Sequence, residues 1–78
     1  MVTVRQLKAA RALLGWSQTD LSKKSGVSLP TIASLEQAEG ELRGREATRK
    51  KLFAAFNRAG LTFLNAVELG VTLRAKRR

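Results

Sequence analysis

The side chains able to do chemistry in this 78-residue chain are overwhelmingly cationic. Fifteen Lys and Arg face six Asp and Glu, for a net charge of +9. There is no Cys and no His. The first absence removes disulfides, thiol nucleophiles and Cys-ligated zinc. The second removes the commonest metal ligand and the commonest general base. The Ser and Thr hydroxyls have no imidazole to activate them, and the carboxylates are few and scattered. No catalytic constellation is implied, and no cofactor or metal. What remains is electrostatic and hydrogen-bonding chemistry toward a polyanion, most simply nucleic acid. The charge is uneven: residues 1–39 carry a net +2 and residues 40–78 a net +7. Arg49, Lys50 and Lys51 fall together, and Arg74, Lys76, Arg77 and Arg78 form a basic tail. Such a tail can follow phosphates or enter a minor groove.

These charges need a scaffold. A hydrophobic content of 44% suits a folded domain, and the length allows only one. Val4, Leu7, Ala10 and Leu14 repeat at helical spacing, with Thr3 as cap and Gly15 as terminator. Ser17 and Asp20 read as a capping box for a second helix. Trp16 and Leu21 fit a hydrophobic staple around that cap, so the only Trp reads as a structural anchor. Gly26 closes the second helix and Val27 follows. Ser28 opens a third, with Pro30 tolerated in its first turn and the Thr31 N–H left for the Ser28 hydroxyl. Ile32 and Leu35 face inward, and the helix runs to about Gln37. Residues 37–44 read as a loop. A fourth helix covers about Arg45 to Ala59, with Thr48, Leu52, Ala55, Phe56 and Ala59 as its apolar stripe. The segments 61–64 and 71–74 are β-prone and predict a short hairpin. The expected fold is mainly α: four compact helices with a short C-terminal β-hairpin or strand segment. Residues 1–60 form the domain, and 61–78 a segment suited to dimerisation. Phe53, Phe56, Leu61, Phe63, Leu64 and Leu69 offer more apolar surface than a core this small is expected to absorb. No apolar run approaches the ~20 residues of a spanning helix, and the basic N-terminal residues are unlike a signal peptide. A cytoplasmic, nucleoid-associated protein is expected.

From Ser17 to Gln37 the pattern describes two helices crossing closely around a Gly turn. Ser22 is small at the crossing, and Val27, Ile32 and Leu35 fill the wedge. The stretch SQTDLSKKSGVSLPTIASLEQ resembles the phage repressor and Cro type of helix-turn-helix, the xenobiotic-response-element family. The resemblance covers about residues 3–59 and rests on Ser17-Gln18, Leu21, Gly26-Val27-Ser28, Thr31-Ile32 and Leu35-Glu36. It departs at Ser22, where the family usually has Ala. A Ser there is expected to bond back to the carbonyl four residues earlier. It departs again after residue 60, where the fifth helix of larger phage domains has no counterpart.

The resemblance implies roles. The helix from about Ser28 to Gln37 would enter the major groove of double-stranded DNA. Leu29, Pro30, Ala33 and Ser34 would face base edges, and Gln18, Ser28, Thr31, Arg43 and Arg45 would meet phosphates. Arg11 and Glu36 would form a partly buried ion pair. Leu29, Pro30 and Ala33 offer no side-chain hydrogen bonds, so their natural target is the thymine methyl group. DNA shape or a tail contact would supply the remaining selectivity. A prokaryotic, repressor-like transcription regulator acting as a homodimer on an inverted repeat is implied. The alternative is a DNA-binding antitoxin whose C-terminal segment grips a protein partner.

Overall fold

The computed structural model describes residues 2–65 and 69–73. Four helices come first: α1 (Val4–Leu14), α2 (Gln18–Ser25), α3 (Leu29–Gln37) and α4 (Glu46–Arg58). Two antiparallel strands follow, β1 (Leu61–Asn65) and β2 (Leu69–Leu73), in the register Leu61↔Leu73 to Asn65↔Leu69. Residues 66–68, and 74–78 with the basic tail, lie outside the described residues.

Local chemistry sets the first three helix starts. Thr3 accepts from the Gln6 N–H while the Gln6 side chain receives the Thr3 N–H, a full capping box. Ser17 and Asp20 repeat the motif, at 3.0 Å and 2.9 Å. These bonds hold the exposed Asp20 carboxyl below its ordinary range, the Ser17 backbone contributing most. Ser28 caps α3 through the Thr31 N–H, with Leu29 and Pro30 in the first turn. Gly15 and Gly26 end α1 and α2 in the left-handed conformation, φ 69° and 79°. Arg45 precedes α4 as its cap residue but makes no side-chain capping bond.

The core joins all four helices to the hairpin. Leu7, Ala10, Leu21, Ile32, Leu52, Phe56 and Leu61 have no exposed surface. β1 packs on α4 and β2 on α1. Phe63 of β1 meets Phe56 and Phe53 edge-on, at 5.5 and 5.4 Å between centroids. The apolar surplus expected in this region is therefore largely consumed internally: Phe56 and Leu61 are fully buried, and Phe53 and Phe63 pack against the core. The side chains of Leu64 and Leu69 lie outside the described residues.

Trp16 stacks on Phe56 with centroids 5.5 Å apart, and Lys24 Nζ sits 5.4 Å from its ring centroid. It anchors the α1–α2 junction to α4. The 37–44 loop is more structured than its composition indicates. Thr3 and Glu41 form an isolated antiparallel bridge, the Val4 and Leu42 amides donate to Gly40 and Val2, and Leu42 enters the core. Among the described residues, no helix is long and apolar enough to cross a membrane.

Candidate nucleic-acid interface

α3 is the element with two characters. Ile32 and Glu36 are buried, and Leu35 packs against the core. Leu29, Pro30, Thr31, Ser34 and Gln37 are exposed, with Ala33 at the margin. Leu29 is one of the exposed large hydrophobic residues, with 40% of its surface open. The result is an outward ridge of small, polar and aliphatic groups on a helix held from behind.

The turn before α3 is tied down by Ser22. Its hydroxyl donates to the Val27 carbonyl at 2.6 Å, not to a carbonyl one turn earlier. The reason is geometric: the left-handed Gly26 folds the chain back so that the Val27 oxygen lies over α2. The Ser25 hydroxyl accepts from the Val27 N–H. A Ser at this helix crossing therefore fastens the turn. The Ser28 hydroxyl also donates to Thr31 Oγ1 at 2.8 Å, leaving both groups exposed at the N-terminus of α3.

The two flanks of the ridge differ. On one, Glu36 accepts from Arg11 Nε and Nη2, both at 2.7 Å, and from Gln18 Nε2 at 3.0 Å. Arg11 Nη1 reaches the Trp16 carbonyl at 2.9 Å. Glu36 is only 4% exposed. Burial by itself pushes its carboxyl pKa up and is the largest single influence. The hydrogen bonds from Arg11 and Gln18, with the charges of Arg11 and Lys8, together outweigh it and hold the group below its ordinary range. The same pair raises Arg11, chiefly through the hydrogen bond to Glu36. One carboxylate thus joins α1, the start of α2 and the end of α3. Sequence reasoning did not foresee the Gln18–Glu36 bond, which spans 18 residues. It fixes the Gln18 amide, whose oxygen and second N–H have no partner among the described residues.

On the other flank the loop passes beside Leu35. Gly44, at φ +99°, lies so close that a Cβ there would meet Leu35 Cδ2 at 3.1 Å. The Arg49 guanidinium donates to the Gly44 carbonyl and steadies the loop. Arg43 and Arg45 bracket Gly44, both exposed and without an ion pair among the described residues. The ridge is therefore bordered by the α2 N-terminus with Gln18 on one side and by the exposed guanidinium groups of Arg43 and Arg45 on the other.

A helix held from behind, with an open ridge between two polar margins, is compatible with the architecture of a groove-reading DNA-binding domain. A family model described as helix-turn-helix matches residues 7–49, more than half of the chain. The protein belongs to the Cro/C1-type helix-turn-helix family, a family of DNA-binding transcription regulators that are generally not enzymes. No curated protein matches the chain.

Proposed function

We propose that the protein is a sequence-specific transcriptional regulator that binds an inverted-repeat operator as a homodimer, with α3 in the major groove. The observation that carries this reading is the exposed ridge of α3 between Gln18 and the Arg43–Arg45 loop. Leu29, Pro30, Ala33 and Ser34 face base edges. Leu29, Pro30 and Ala33 act through apolar contact with thymine methyl groups, and Ser34 through its hydroxyl. Gln18, Ser28, Thr31, Arg43 and Arg45 hold the phosphates. The positive dipole ends at the starts of α2 and α3 favour the same anions. A nine-residue helix reads only a few base pairs, which is why two copies on two half-sites are proposed. The hairpin supplies a route to pairing, since neither strand has another partner among the described residues. In this reading the protein works on the nucleoid.

The test is selection of random duplex DNA by the purified protein at physiological salt. An enriched inverted repeat with half-sites about 34 Å apart supports the dimer. An enriched single half-site keeps the groove-reading helix and removes the dimer. No enrichment, despite tight binding at low salt, overturns sequence-specific readout. A stoichiometric protein that co-purifies from its natural cells and binds the C-terminal segment would favour an antitoxin role instead.

A further inference from the structure

Arg5, Lys8 and Arg11 recur every three residues and share one ridge of α1. Arg11 is spent on Glu36. Lys8 lies near enough to act on the Glu36 carboxyl, so the ridge runs directly out from the Gln18 flank of α3. Lys8 and Arg5 are exposed and make no hydrogen bond or ion pair among the described residues. They line a cleft of about 540 Å³ with Thr3, Ala38, Glu39 and Gly40. The cleft opens where α3 ends, between α1 and the strand-like backbone of the loop.

Neither of the two flanks described above takes Arg5 or Lys8 as a hydrogen-bond or ion-pair partner. We infer that Arg5 and Lys8 form a third anchoring point for the phosphodiester backbone, beyond the C-terminal end of α3 on the Gln18 side. The inference rests on the docking of α3 proposed above. A strand leaving the groove past Gln37 meets Lys8 first and Arg5 next. Glu39 borders the same cleft and repels that strand, so this site carries an internal control of opposite sign.

The experiment compares the salt dependence of duplex affinity for wild type, Arg5→Gln/Lys8→Gln and Glu39→Gln. Lys23→Gln/Lys51→Gln serves as a charge-matched control, since both residues are exposed and lie on other helices. Each phosphate contact contributes about 0.9 to the slope of log affinity against log salt. Loss of two contacts makes the slope shallower by about 1.8. The wild-type-to-variant affinity ratio then falls about 12-fold between 50 and 200 mM salt. The control pair leaves the slope nearly unchanged, and Glu39→Gln tightens binding at low salt. The order of preference among sequences stays the same for all variants, because phosphates carry no base identity. Equal slopes for the two double variants, or weaker binding by Glu39→Gln, would overturn the inference. The slopes are measured on the selected site and on a random duplex of equal length. If selection yields no site, the docking reading fails, and the random duplex still decides whether Arg5 and Lys8 touch phosphate.

Discussion

Glu36→Gln isolates what a single carboxylate does for this fold. The substitution keeps the shape of the side chain and removes its charge. Arg11 then faces an amide whose NH₂ cannot accept, and its two bonds of 2.7 Å cannot both survive. Breaking a fully buried pair costs ~3–5 kcal/mol, and an exposed pair is worth ~0–1 kcal/mol. Here the carboxylate is 4% exposed and the guanidinium 20%. Water can therefore reach the stranded cation in part, which places the cost at about 2–3 kcal/mol. A domain of this size holds only about 4–12 kcal/mol in total. The melting temperature should drop by about 10–20 °C. Thermal unfolding followed by circular dichroism and by the emission of Trp16 measures it. The double variant Arg11→Met/Glu36→Leu should recover most of the loss, because no charge is left stranded. A loss below about 0.5 kcal/mol for Glu36→Gln would refute the reasoning and class the pair with solvated surface pairs.

Three further outcomes are expected. Because the folded Glu36 carboxyl is held below its ordinary range, its contribution is complete above the unfolded-chain pKa of about 4.3. It is lost as pH falls from there through the lowered folded value, and acid titration of stability should show this in wild type but not in Glu36→Gln. Gly44→Ala should cost about 1–3 kcal/mol in denaturant melts, since φ +99° suits only Gly and the new methyl would press on Leu35. Leu29→Gln should redirect sequence preference at one operator position by about 1–3 kcal/mol toward adenine in repeat selections, whereas Arg43→Ala should weaken binding to all duplexes alike.

Much of the architecture is legible in local chemistry. Thr3, Ser17 and Ser28 mark three helix starts, Gly15 and Gly26 mark two ends, and each pairing involved lies within five residues. The hairpin is legible from its β-prone segments for the same reason. What escapes such reading depends on distant chain segments meeting. Leu42 looks like a loop residue because its burial rests on a backbone bond to Val2, 40 residues earlier, and on the Thr3–Glu41 bridge beside it. Ser22 is misread because its partner lies across the turn, not along its own helix. The phenylalanines look like surplus because composition cannot reveal that β1 folds back onto α4 and closes the core. At the candidate interface, the polar margins are visible as residue types. The sharing of Glu36 between Arg11 and Gln18 is not, since it needs three helices in place.

The division of α3 has a bearing on how such a protein changes over generations. The side chains that hold the helix, Ile32, Leu35 and Glu36, point the opposite way from Leu29, Pro30 and Ser34. An outward substitution therefore leaves the core and the Glu36 network untouched, and surface changes of that kind usually cost within ±0.5 kcal/mol. In the proposed docking, stability and sequence preference are encoded in interleaved but separate letters of the same nine residues. A lineage carrying this domain could drift to new operators one position at a time, without passing through an unfolded intermediate.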